Sequence, residues 1–408
     1  MHNAGQPFTV QATALNAAAV TTTNYTGTQV IVPSACVNNG TTITGCATLG
    51  TFSIGTWSAA GAGAYNSSTA TYSEVGAFTL QMKDQNFASV DAAANSGAGD
   101  GTPADCTGQY VCSSVNVGRF VPDHFDTAIV AASGVPMPCP TGLTCPTLYN
   151  GFVYSGQSFT TNVIARNLAG ATTTNYDSGK GLSKAITLTA WDALGSTTTL
   201  NPPVATPGSI SSGGTIASTS FSGGTTVSPG TPATPIYTFG TTSTNPTDIY
   251  IRAADTDGVT SLRVPANTSV EGGIKVVSGR IKIANAHGSE LLSLSITVTV
   301  QYWNGNYVTS VTDSATQFDT KLSTAGGDVQ ATITNGPLAL ANVSVVTPGL
   351  VTFVNGVKTF KLGAPNVAGS ADLTIITAPS YLLPSTTGRA TFGVYKGANG
   401  LIYLRENY

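Results

Sequence analysis

Few residues in this 408-residue chain have the types and spacing that chemistry needs. It holds six cysteines, three histidines (His2, His124 and His287), 19 acidic residues and three tryptophans. The cysteines fall into close pairs: Cys36 with Cys46, Cys106 with Cys112, and Cys139 with Cys145. An even count in local pairs reads as three short-loop disulfides. Each would contribute ~2–3 kcal/mol by loop entropy. Zinc is the competing reading, but it wants Cys-x2-Cys spacing or adjacent His ligands. The spacings here are ten, six and six, and His124 is the only nearby histidine. Disulfides persist in oxidising places, so an exported protein at the cell surface is expected. The opening MHNAGQPFTV has no apolar stretch of the signal-peptide kind. The expectation is therefore a mature fragment or part of a longer chain.

Asp255-Thr256-Asp257-Gly258 is the best inorganic candidate. Ca2+ takes several oxygen ligands, and alternate Asp residues in a turn supply two. An EF-hand loop would need an acid at its twelfth position, and counting from Asp255 reaches Ala266. A plain turn at Asp255 and Asp257 competes with Ca2+, and no other cofactor is expected. Catalytic signatures are missing: no His-Glu-x-x-His, no Gly-x-Ser-x-Gly elbow, no Walker loop. A Ser-His-Asp triad is spatial, so counting does not exclude one. Yet nothing marks a nucleophile, and no carboxylate pair for glycoside hydrolysis stands out. His124 in PDHF and His287 in NAHGSE read as structural or surface residues. Trp303 and Tyr307 flank an Asn-Gly turn and form the glycan candidate, since an exposed indole stacks on a sugar ring. The competing reading packs Trp303 under a loop or against a neighbouring unit. Trp191 follows a strand and is expected in a core.

The elements that carry these residues follow from composition and period. Only 9% of residues are charged, net charge is −3, and 46 residues are Gly. Long solvated helices need many more charges on their outer faces than this. No basic footprint exists for nucleic acid, and no apolar run approaches the 18 residues of a membrane-spanning helix. Leu294, Ile296, Val298, Val300 and Tyr302 alternate with Ser, Thr and Gln, the period of a half-buried strand. Phe78, Leu80 and Met82 repeat it, as do Ile186 and Leu188, and Ile249, Ile251 and Ala253. Asn-Gly at 304–305 predicts a hairpin. Ala390–Tyr408 reads as a terminal hairpin, and Gly208–Pro232 as long surface loop. The fold class is all-β: tandem immunoglobulin-like antiparallel β-sandwiches.

The chain also repeats itself. GQPFTVQATALNAAAVTTTNY (Gly5–Tyr25) aligns without a gap on GQSFTTNVIARNLAGATTTNY (Gly156–Tyr176). FTLQMKDQNFAS from Phe78 lies against IYIRAADTDGVTS from Ile249, which places Asp84 opposite Asp255. NVGRF (Asn116–Phe120) lies against VSGRI (Val277–Ile281). The order is the same in both copies, so the expected units are 1–118, 119–279 and 280–408, a string of sandwiches with separate cores. In the second unit, FVPDHFDTAIVA precedes the repeat as a strand, and the first unit lacks a counterpart. Either upstream chain or a partner at an open sheet edge supplies it.

GRFVPDHF (Gly118–Phe125), the Cys139/Cys145 segment, FVYSGQSFT (Phe152–Thr160) and ARNLAGATTTNYD (Ala165–Asp177) resemble a bacterial domain of unknown function. It forms the C-terminal part of MshQ-like proteins, encoded with mannose-sensitive haemagglutinin pilus components. The resemblance continues through Gly279–Gly305, Thr312–Ser314, Arg389–Gly397 and Ile402–Tyr408. It implies a surface or type IV pilus-associated system, with a lectin-like sandwich often upstream. The pattern has a Cys after Asp-Ser where this chain has Ala315, so a disulfide at that Cys is absent. The family brings no catalytic residues.

The leading expectation is therefore a non-catalytic structural and interaction protein of the cell surface or a filament. Its partners would be copies of itself or pilus and surface proteins, reached by β-strand addition. A carbohydrate-binding adhesin module and an exported hydrolase are the alternatives.

Overall fold

Strands with one apolar face and one Thr/Ser face must close in pairs of sheets to bury the apolar side. The computed structural model describes residues 1–16, 18–38, 41–42, 49–84, 111–146, 149–191, 207–261, 271–377 and 379–393. Among them there are strands and short 3₁₀ turns and no α-helix.

The first sandwich comprises β1 (His2–Asn3), β2 (Phe8–Thr13), β3 (Val30–Asn38), β4 (Thr41–Thr42), β5 (Phe52–Ser53), β6 (Ser58–Gly61), β7 (Ala64–Tyr72), β8 (Gly76–Asp84) and β9 (Val111–Val121). One sheet runs β1-β9-β8-β3-β4 and the other β2-β7-β5, with β6 against β7. Val10, Tyr72, Phe78, Leu80 and Phe120 fill the space between them.

The second contains β10 (His124–Val130), β11 (Met137–Pro138), β12 (Gly151–Tyr154), β13 (Thr160–Arg166), β14 (Ile186–Trp191), β15 (Gly208–Ser212), β16 (Thr215–Ile216), β17 (Ile236–Phe239), β18 (Thr247–Asp255) and β19 (Gly273–Val277). The sheet β11-β12-β19-β18-β14-β16 packs on the β10-β13 pair through Phe125, Val163, Tyr176, Ile186 and Ile251.

The third is built from β20 (Gly279–Ile283), β21 (Ala286–Gly288), β22 (Leu294–Trp303), β23 (Tyr307–Thr309), β24 (Gln317–Asp319), β25 (Val329–Asn335), β26 (Leu350–Thr352), β27 (Val357–Leu362), β28 (Gly369–Ile375), β29 (Leu382–Leu383) and β30 (Gly388–Phe392). The sheets are β23-β22-β20-β29, with β27 on β22, and β21-β30-β28-β25. Ile296, Val298, Phe318, Phe353 and Phe360 lie in its core.

Each fully buried aliphatic or aromatic side chain contributes ~2 kcal/mol relative to exposure, so the three cores are the main stabilising term. They are not sealed from each other. Val75 and Val121 join the second core, and Phe152 and Tyr154 join the third.

Several details depart from the sequence expectation. The sheets are mixed. β1 pairs with β9, β12 with β19, and β21 with β30, all in parallel. In each sandwich an early strand therefore lies beside the last described one and runs the same way. Gly208–Pro232 is not a long loop: it contains β15, β16 and a 3₁₀ turn. β15 pairs with β17 despite its Gly/Ser content, because backbone pairing needs no apolar side chains at a wet edge. Of the terminal hairpin expected over Ala390–Tyr408, β30 ends at Phe392, and residues 394–408 lie outside the described residues. The turn at Asn304-Gly305-Asn306 joins β22 to β23, with Trp303 opposite Tyr307. Gly305 takes φ +77° there, a conformation costly for a residue with a Cβ.

Candidate functional site

The residues that repeat in sequence converge at the boundaries between sandwiches. In the second sandwich the turn Thr172–Tyr176 is closed by Thr173 N–H to the Ala165 carbonyl (3.0 Å) and Tyr176 N–H to the Thr173 carbonyl (3.0 Å). The buried Tyr176 hydroxyl donates to Asp255 (3.1 Å). Tyr25 donates to Asp84 (2.5 Å) in the same way in the first sandwich. The aligned Tyr and Asp residues are therefore one device used twice, tying the turn to a strand of the opposite sheet. Burial raises both phenols, Tyr25 to about 12 and Tyr176 further.

This turn leaves the N–H groups of Thr174 and Asn175 pointing out of the second sandwich, and Glu74 of the first takes them. Its carboxylate accepts from Thr174 N–H (2.9 Å), the Thr174 hydroxyl (3.0 Å) and Asn175 N–H (3.1 Å). Glu74 is only 6% exposed, so these charge-assisted bonds form away from bulk water and are among the strong ones. Around them, Asn167 Nδ2 donates to the Ser73 carbonyl (3.1 Å), Leu168 N–H to the Ala4 carbonyl (2.9 Å) and Gln6 to Asp123 (2.9 Å). Arg119 pairs with Asp257.

At the second boundary the Tyr154 hydroxyl donates to Asp313 (2.9 Å). Asp313, fully buried, also accepts from the N–H groups of Ala315 (3.0 Å) and Thr316 (2.9 Å). Burial and then the Asp313 charge hold the Tyr154 phenol far above its ordinary value. The Tyr154 ring stacks on Tyr381 at 5.9 Å between centroids. Ala315 thus helps cap Asp313.

The residues singled out from sequence take these places. The sulfurs of Cys139 and Cys145 are bonded to each other. Cys112 is disulfide-bonded, whereas Cys46 and Cys106 lie outside the described residues, as does the side chain of Cys36. Asp255 and Asp257 engage different partners. Asp255 Oδ1 accepts the N–H groups of Asp257 (2.9 Å) and Val259 (3.0 Å), while the Asp257 carboxylate faces Arg119. Among the described residues no group of three His, Cys, Asp or Glu is arranged to hold a metal. Trp303 and Tyr307 meet edge to face at 5.0 Å and sit on the second boundary. Trp303 Nε1 donates to Asn245 (3.3 Å), and Tyr307 bonds Ser243 (3.0 Å) under the Arg280 guanidinium. Trp191 is half-buried, beneath the Arg252 guanidinium.

His124 is 1% exposed. Nδ1 lies 2.9 Å from Asp123, and Nε2 lies 3.5 Å from Asp126. Burial pushes the Asp126 carboxyl up, and bonds from His124 and Arg166 outweigh it, so it lies below its ordinary value. This His-carboxylate cluster supports the boundary through Gln6, which donates to Asp123. His287 is exposed on β21. Sequence reasoning missed Glu74, because a lone acid between two apolar runs carries no local signal.

Residues 74–278 match DUF6701, third domain, and residues 277–407 match DUF6701, fourth domain. Comparison with curated proteins finds no match. Among solved structures, the FdeC adhesin of Escherichia coli is 11% identical, with 97% of this chain and 95% of that chain covered and a TM-score of 0.37. The Yersinia pseudotuberculosis adhesin InvE is 12% identical over 59% of this chain and 56% of its own, with a TM-score of 0.22. Domains A168–A170 of titin are 8% identical over 94% of this chain and 98% of their own, with a TM-score of 0.24. At these values the likenesses carry no argument about what this chain does.

Proposed function

Because the chain belongs to the DUF6701 family, with the third and fourth domains spanning residues 74–407, we propose that it is an exported, non-catalytic spacer of the bacterial surface. It is built from units 1–118, 119–279 and 280–408. The finer reading places it with MshQ-like proteins of type IV pilus systems and gives it a role in adhesion or assembly. Disulfides 36–46 and 106–112 accompany 139–145 in this reading, and its partners are other copies or surface proteins. The observation that carries it is the clamp of Glu74 on Thr174 and Asn175. A buried carboxylate spent on joining two sandwiches fixes their relative pose, which is what a spacer needs and what a reactive site does not.

A deletion strain tests it. Loss of attachment or of pilus assembly, restored by the wild-type gene, is the expected result. Hydrolysis of an ester or polysaccharide panel, abolished by one His or acid substitution, would overturn it.

A further inference from the structure

At the first boundary the second sandwich receives two things from the chain before it: the Glu74 carboxylate, and the segment after Arg119 that becomes β10. That strand pairs antiparallel with β13, from His124 opposite Arg166 to Val130 opposite Thr160. The third sandwich receives a leading strand likewise, β20 against β22. Both receiving features recur in the first sandwich. Residues 5–25 align without a gap on 156–176, so β2 stands for β13, and Thr23 and Asn24 stand for Thr174 and Asn175. The local bonds agree. Thr22 N–H donates to the Ala14 carbonyl (2.9 Å) and Tyr25 N–H to the Thr22 carbonyl (3.1 Å).

Among the described residues, no acceptor faces the N–H groups of the exposed Thr23 and Asn24. Nor does any strand flank β2 on the side away from β7. Ala14 makes both its backbone bonds on the β7 side, to Gly63 and Thr22. By the alternation of an antiparallel ladder, Thr9, Gln11 and Thr13 then direct N–H and C=O to the open edge. A groove of about 230 Å³ lined by His2, Phe8, Val117 and Phe120 runs between β2 and β9. β10 spans the corresponding gap between β13 and β19.

We infer that this end of the first sandwich is a socket for a preceding sandwich of the same family, which lays a strand antiparallel on β2 and sets a carboxylate on Thr23 and Asn24. A second copy does not fit as occupant, because its Glu74 and β10 are engaged in its own chain. The preceding sandwich supplies both features at the first internal boundary, so the same kind of unit is the occupant that the repeat calls for.

The probe is a synthetic peptide of Arg119–Ala132, the strand that occupies the corresponding edge, titrated into the whole 408-residue chain. Saturable binding with slowed amide exchange at Thr9, Gln11 and Thr13 is expected. Gln11→Pro or Thr13→Pro removes one outward N–H and leaves the β7 ladder intact, so the melting point holds while affinity falls about tenfold. A peptide with Phe125→Asp and Ile129→Asp should not bind. No binding by the natural peptide, or equal binding by folded proline variants, overturns the inference. Self-association of the chain that protects the same amides does so too, by naming a second copy as occupant. The spacer reading rests on the internal boundaries and survives any of these results.

Discussion

At the scale of single residues, boundaries depend on carboxylates that have left water. Glu74→Gln keeps the volume of the side chain but turns an N–H toward donors that need an acceptor. A buried donor without its partner costs about 1–3 kcal/mol, so denaturant unfolding should show a loss of that size. Amide exchange at Thr174 and Asn175 should rise more than elsewhere. Asp126 makes a pH-dependent contribution. Its carboxyl lies below the ordinary value of 3.8 when folded. The stability it adds is present above that value and is lost as pH falls through the folded one. Asp126→Asn should therefore lower stability at neutral pH and flatten the acid limb of the stability curve below pH ~4, measured by urea titration at several pH values. An unchanged acid limb would contradict the assignment.

At the scale of elements, alternation on β22 decides which substitutions are tolerated. Val298 is 0% exposed and Thr297 is half-buried on the other face. Val298→Thr is nearly isosteric but buries a hydroxyl, at a cost of about 1–3 kcal/mol. Thr297→Val should change stability by less than about 0.5 kcal/mol. Thermal melts of the two variants check the pattern. This part of the fold was legible in the sequence, because Leu294, Ile296, Val298, Val300 and Tyr302 carry a strict period of two and all are buried. The low charge content argued against long solvated helices, and the described residues form no α-helix. What resisted reading was nonlocal. The parallel pairings are set by strand order across more than 100 residues, and no dipeptide announces them. Trp303 and Tyr307 were visible as a pair, but their boundary partners, Asn245 and Ser243, lie some 60 residues away in sequence. The TTTNY repeat was visible too. Its purpose, presenting N–H groups to Glu74, appears only when two sandwiches are seen together.

At the scale of the whole molecule, the cores interlock where sandwiches meet. Gly279, which opens β20, lies where a Cβ would come within 2.4 Å of the Tyr154 ring and 2.5 Å of Leu382. Gly279→Ala should overpack this boundary, cost about 1–3 kcal/mol and lower the common melting point of the second and third sandwiches. Calorimetry distinguishes this from damage confined to one of them. The parallel pair β1–β9 has a consequence under tension. When the chain is stretched from its two ends, neighbours that run the same way are dragged in opposite senses along their length. Their hydrogen bonds are then loaded together in shear, not peeled one at a time. A tether of this construction yields in few, abrupt, high-force steps, which single-molecule pulling would record as a sawtooth.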